Sequence, residues 1–181
     1  MFGLFKKKES MPEIRDMVWM SDAAKKQGAL ALIAAANNPV IAGWFDETIE
    51  EWQRLLDEAG HSFRVESVPF LQGLDVKDRN IFLLEHYPLA SQETKVMQNW
   101  KPKSVVAFVS MEDPLLQLFG GDNLIALMQK MGMAENEVME HKMISRSIRN
   151  AQEKLDKKVA HEHNADSQEE WFKINVEKYP K

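Results

Sequence analysis

The chain has 181 residues, 44% of them hydrophobic and 28% charged, with 8 glycines, 7 prolines and no cysteine. This is the composition of one globular domain plus an extension, and it excludes disulfides, Cys-ligated zinc, iron–sulfur clusters and thiol nucleophiles, in keeping with a reducing cytosol. A net charge of −5 supplies no global basic field for nucleic acid, and no apolar run approaches the roughly 18–20 residues of a membrane span.

In chain order, Phe2, Leu4 and Phe5 come directly before Lys6, Lys7 and Lys8. A secretory signal has the opposite order and a longer apolar stretch, so none is expected. Two readings remain for this segment. One is a weak peripheral anchor, with aromatic and Leu groups in the interface and lysines on anionic lipid. The other is a frayed terminus or a segment packed on its own domain. Each lysine at such a surface contributes about 1 kcal/mol, so three give only transient contact.

Ser21 or Asp22 caps a helix running through Lys25, Leu30 and Ile33 to Ala36, which Asn37-Asn38-Pro39 ends. Val40–Phe45 is a short apolar strand, and the next helix places Ile49, Trp52, Leu55, Leu56 and Ala59 on one face before Gly60. Phe63–Val68 alternates as a half-exposed strand, and Gln72–Asn80 is a polar loop or short helix. Ile81–Leu84 reads as a strand, Ser91–Trp100 as a helix, and Val105–Val109 as a buried strand without charge. This alternation predicts an α/β fold, a doubly wound and mainly parallel sheet covered on both faces. From about Ser145, Ile148, Ala151, Gln152, Leu155 and Val159 mark a helix, and a second follows from Ser167 to about Glu177. Trp171 and Phe172 on that last helix must bury against the main body or against a protein partner.

From Phe108 the chain runs Phe-Val-Ser-Met-Glu-Asp-Pro-Leu-Leu-Gln-Leu-Phe-Gly-Gly-Asp, followed by Leu127-Met-Gln-Lys-Met-Gly-Met133, Glu140-His141, Ser145-Arg146 and Asn150-Ala151-Gln152-Glu153-Lys154. This ordered series resembles the SecA preprotein translocase family, at the end of its second ATPase lobe and the start of its helical scaffold. More loosely, Asp16–Lys25, Pro39–Gly43, the Glu47–Gly60 helix and Leu84-Glu-His-Tyr87 are similar to earlier parts of that lobe. The resemblance covers about 14–160. It implies a single RecA-like (Rossmann-like) domain over 13–120, preceded by the 1–12 tail and followed by a helical extension over 121–181.

The family's nucleotide machinery has no counterpart here. No Gly-x-x-x-x-Gly-Lys-Ser/Thr phosphate loop occurs, and no Asp-Glu pair follows an apolar strand. Where the second lobe carries arginines that stabilise a transferred phosphoryl, this chain has Ser91-Gln-Glu-Thr-Lys-Val-Met-Gln-Asn-Trp100, with neither Arg nor Gly. The nearby Lys95, Lys101 and Lys103 lack the planar fork of arginine. The expectation is therefore a degenerate, stand-alone relative that is not an enzyme and holds no cofactor, with half of an ATP site absent and the other half blunted. It would act through protein contacts, with translocase components as partners, in the cytoplasm or peripherally at the inner membrane. The alternative is a small-molecule or nucleotide-binding module that uses the sheet-edge crevice without hydrolysis, with Gly43-Trp44-Phe45-Asp46 helping to line it.

Other constellations read as structural. His161 and His163, with Glu162 and Asp166, carry donor types that suit zinc, but alternation points the two imidazoles apart on a helix, so a polar junction is expected there and no metal site. His61 follows Gly60 at a helix end. Glu85 and His86 form an acid/base pair on paper, without a nucleophile. Met128, Met131, Met133, Met139 and Met143, beside Leu124, Ile125 and Leu127, suit either core filling or an adaptable binding surface. Any exposed pair among Trp19, Trp100 and Trp171 would be a protein-contact candidate.

Overall fold

The computed structural model describes residues 11–177 apart from residue 131, and leaves out the side chains of 121–124 and 127. The anchor residues Phe2, Leu4, Phe5, Lys6, Lys7 and Lys8 lie outside the described residues, as does Met131.

Five strands form one all-parallel sheet: β1 (Ile14–Trp19), β2 (Val40–Gly43), β3 (Val65–Ser67), β4 (Asn80–Leu83) and β5 (Ser104–Ser110), in the order β1-β5-β4-β2-β3. Strand alternation divides the apolar residues between two layers. Val105, Ala107 and Val109 of β5 join one hydrophobic cluster, while Val106 and Phe108 join the other. Helices α1 (Asp22–Ala35) and α2 (Asp46–Glu58) cover the second face with Ala29, Ile33, Trp52 and Leu56. The first face receives Met97 of α4 (Ala90–Met97), Leu115 of α5 (Pro114–Gln117), Ile148, Ala151 and Leu155 of α7 (Lys142–Lys158), and Trp171 and Phe172 of α8 (Gln168–Asn175). The doubly wound fold follows from this two-sided demand for cover. Two further α-helices, α3 (Gly73–Val76) and α6 (Gly121–Lys130), and a 3-10 turn at Val68–Phe70 complete the described elements.

Local chemistry sets the element ends. Ser21 Oγ accepts from the Ala24 N–H at the start of α1. Gly60, at φ +76°, ends α2: its N–H donates to the Asp57 carbonyl and the His61 N–H to the Leu56 carbonyl. That paired bonding needs a left-handed residue and explains the glycine. At α3, the Gln72 N–H donates to Asp75 Oδ2 in a capping box.

The structure departs from the sequence expectations in three places. Ile14–Trp19 is an edge strand that apolar periodicity does not announce, because Arg15 and Asp16 interrupt it. The strand expected over Val40–Phe45 stops at Gly43, since the Trp44 and Phe45 amides turn to meet a side chain. The strand expected over Phe63–Val68 keeps only Val65–Ser67, at the sheet edge.

Candidate functional site

In open parallel sheets the natural ligand crevice lies outside the strand carboxyl ends, where successive crossovers leave to opposite faces. Here that place falls between β2, which feeds α2 on one face, and β4, which leads to α4 on the other. Glu85 sits just beyond β4 and is buried. Its Oε1 accepts from the Trp44 and Phe45 N–H groups, both at 3.2 Å, and its Oε2 from Thr48 Oγ1 at 2.9 Å. Burial outweighs these donors and pushes the carboxyl up to about 7. Lys25, also buried, reaches in from α1 and donates to Asp113 at 2.8 Å, with Asp22 at 3.3 Å. Burial alone would lower the ammonium, but the two carboxylates hold it above the ordinary lysine range.

The crevice has a volume of about 520 Å³, and its walls carry eight carboxylates against Lys25, Lys26 and Arg54. The helix starts that could offer backbone donors to an anion are already committed. The Asp22 N–H donates to Glu112 Oε2 at 2.7 Å. The first turn of α2 carries Asp46 and Glu47, so its own carboxylates occupy the positive end of the helix dipole. Such walls repel phosphate and suit cationic groups. The strand exit enters this crevice differently from expectation: Trp44 and Phe45 point into the core, stacking around Tyr87, and Glu47 and Thr48 reach the walls instead.

A second polar cluster lies inside the first face. His86 Nδ1 donates to Glu93 Oε1 at 2.8 Å and His86 Nε2 to Asp16 Oδ1 at 2.6 Å, with all three side chains buried. Burial alone would lower the imidazole, but Glu93 and Asp16 push it well above its usual range, so it is a charged imidazolium. Burial likewise opposes the Asp16 carboxylate, yet His86 holds it below the usual range. The Tyr87 N–H adds a 2.9 Å bond to Glu93, and Gln168 of α8 donates to the His86 carbonyl at 2.8 Å. Glu85 and His86 thus point into separate networks and do not form the acid/base pair their adjacency suggests.

Trp171 and Phe172 are both 0% exposed. Of their two possible fates, the protein's own body holds them, because α8 folds back over the sheet. The protein-contact assignment for this pair is corrected accordingly, since neither ring is accessible to a partner. Trp19 and Trp100 are buried as well, which leaves no exposed pair among these tryptophans. Glu162 fastens the turn between α7 and α8: it accepts from Tyr87 Oη, from Trp171 Nε1 at 2.7 Å and from Gln92 Nε2 at 3.1 Å. His161 and His163 flank it at the surface, and no group of three or more His, Asp or Glu among the described residues is placed to hold a metal. Met128 fills core, Met133 and Met139 pack partly against it, and Met143 is 69% exposed.

Sequence reasoning missed Lys25, Glu93 and Asp16, and it read Glu162 only as part of a polar junction beside His161 and His163. For Lys25 a signal existed, because it stands four and eight residues before Ala29 and Ile33 on the buried stripe of α1.

No protein-family model matches the chain. Curated relatives match it locally. Over 55 residues, 30% of this chain, it is 47% identical to protein translocase subunit SecA 1 of Alkaliphilus metalliredigens. Over 49 residues, 27% of this chain, it is 51% identical to protein translocase subunit SecA of Acinetobacter baumannii. The SecA subunit of Alkaliphilus oremlandii is 44% identical over 55 residues. The matched stretch spans only 6%, 5% and 6% of these relatives' respective lengths. Over that stretch, on an all-parallel sheet of RecA-like type, the chain is similar to SecA translocase subunits.

Proposed function

We propose that this protein is a non-catalytic SecA-related factor that acts through protein contacts, accessory to protein translocation in the cytoplasm or at the inner membrane face. The observation that carries the reading is the charge of the switch-point crevice. Eight carboxylates line it, its one buried cation is locked between Asp113 and Asp22, and Glu112 caps the nearest helix amide. A site for phosphoryl transfer needs cations and free amides around the leaving oxygens. The α4 segment, which lacks arginine, spends its buried Glu93 on His86.

A second reading, ligand binding without hydrolysis, draws on the position of the crevice. Its walls favour a small cationic ligand over a nucleotide.

Two measurements test the proposal. Tagged protein is captured from cytosolic and membrane fractions, and recovery of translocase components is expected; recovering none would sink the translocation role. Purified protein is mixed with magnesium and ATP or ADP. No change in melting temperature and no phosphate release above the blank are expected, whereas protein-dependent hydrolysis would overturn the non-catalytic assignment.

A further inference from the structure

The β1 edge of the sheet is only half covered. The Met111 N–H donates to the Trp19 carbonyl at 2.9 Å, so the odd-numbered residues of β1 turn their backbone groups toward β5. Val18 faces the other way and exchanges two hydrogen bonds with Met139, at 2.9 and 2.8 Å. Ile14 and Asp16 share that outward side with Val18, because backbone groups alternate along a strand. Among the described residues, neither one's backbone has a hydrogen-bond partner on that side. The cover ends there because the chain leaves the edge at His141, the N-cap of α7. An open edge of this kind is a template for another strand.

A groove of about 1070 Å³ opens beside that edge, with Ile14, Pro102 and Val105 in its walls. Its rim is cationic. Lys103, Lys142 and Arg146 are exposed and form no ion pair among the described residues, while Arg15 meets Glu140 at 3.2 Å. The lining holds two acids, Glu13 and Glu140, against these four cations. Lys142 and Arg146 stand in the opening turns of α7, whose first turn carries no acidic residue. A helix start favours carboxylates, so the dipole and the two cations together attract acid that α7 itself does not supply.

Charge and open backbone together select the occupant. A nucleic acid would use the charge, but no aromatic side chain lines the groove to stack a base, and the open backbone groups would stay unused. A second copy would bring the same cationic rim against this one. An extended peptide uses both features, its backbone pairing with Ile14 and Asp16 and its carboxylates meeting Lys142 and Arg146. We propose, resting on the protein-contact reading above, that the outer edge of β1 receives an acidic, extended segment of a partner protein as an added strand, held at Ile14 and Asp16 beside the start of α7. Pro12 has no N–H and Val18 is already paired, so the added strand is short. Its carboxylates complete the charge balance of the rim and of the helix start at once.

The test is fluorescence anisotropy of the full chain with a labelled hexapeptide of alternating Glu and Val, which puts its carboxylates on one face. Binding is expected, fading as salt rises. Lys142→Glu with Arg146→Glu should weaken it at least tenfold with an unchanged circular dichroism spectrum, since acids in the first turns suit the helix. Lys77→Glu with Lys95→Glu, an equal charge change elsewhere, should stay within about threefold. Of two peptides N-methylated at the Glu or at the Val residues, at least one should lose tenfold or more, because only one set of amides faces β1. Absence of binding by the acidic peptide overturns the proposal, as does equal affinity for a peptide with Lys in place of Glu. Full affinity in the Lys142 and Arg146 variant, indifference to both N-methylations, or tighter binding of a uridine hexanucleotide also overturns it. No cell extract enters this measurement, so its failure removes this surface and leaves the translocase-capture result standing, while a failed capture leaves peptide binding intact.

Discussion

His86 Nε2 lies 2.6 Å from Asp16 Oδ1, and this contact ties the exit of β4 to edge strand β1 across the intervening β5. The bridge passes over Ala107, which is in register with both Asp16 and Leu83. A larger residue there would fill the space the two side chains need. A buried cation between two carboxylates is costly to break, because removing one member strands the others in a dry site.

His86→Gln should therefore lose about 3–5 kcal/mol near pH 6. The folded-state imidazole is raised, so its contribution is complete below about 6.5 and is lost as pH rises through its folded value. Urea titrations of wild type and variant from pH 5 to 9 should show the gap narrowing on the alkaline side. A constant gap would remove the charged imidazolium from the account.

Glu85 makes the opposite prediction. Its carboxyl titrates near 7 when folded and near 4.5 when unfolded, so the folded state holds the extra proton between those values. Wild-type stability should fall as pH rises through that window. Glu85→Gln keeps an oxygen for the Trp44 and Phe45 amides and removes the titration. The variant should gain roughly 1–3 kcal/mol over wild type at pH 8 and little at pH 4.5. Parallel pH profiles for the two proteins would refute this.

Gly28 lies in the middle of α1, where alanine normally improves a helix by about 1 kcal/mol. A Cβ there would come within 2.7 Å of Trp19 Nε1 and 2.8 Å of its ring carbons. Trp19 is buried against Phe108 and has little room to yield. Gly28→Ala should be destabilising by about 1–3 kcal/mol, read as a lower urea midpoint at unchanged slope. A stabilised variant would show that the indole moves freely.

Glu162 holds α8 through the Tyr87 hydroxyl and the Trp171 indole. Glu162→Ala leaves both donors without their acceptor at about 1–3 kcal/mol each, so α8 should open before the rest of the domain. Hydrogen exchange over 161–176 should accelerate at least tenfold while β5 keeps its protection. Uniform acceleration would mean that α8 unfolds only with the whole body.

Much of the layered architecture was legible in the residues. Val105–Val109 carries no charge and is apolar at every position, which suits only a strand buried on both faces. The Trp52–Leu56 stripe and Gly60 likewise announced α2 and its stop. The candidate site was less legible because its polar groups are defined by partners far along the chain. Asp16 reads as a break in an apolar run until His86, seventy residues later, gives its charge a reason to be inside. Lys25 reads as a surface lysine until Asp113 arrives from the end of β5.

The sequence by itself determined the α/β alternation, the SecA resemblance and the lack of the phosphate loop and arginine series, because these are properties of residue type and spacing. Only the tertiary structure decided where the charges face. Parallel strands gather every carboxyl-end loop at one end, which collects acids from α1, α2, β4, β5 and α8 into one crevice. The same topology leaves Arg15, Lys103, Lys142 and Arg146 at the other end. Folding also decided that Trp171 and Phe172 serve the core, since the first face of the sheet would otherwise lie bare. A net charge of −5 conceals this polarity, which no linear reading of the chain contains.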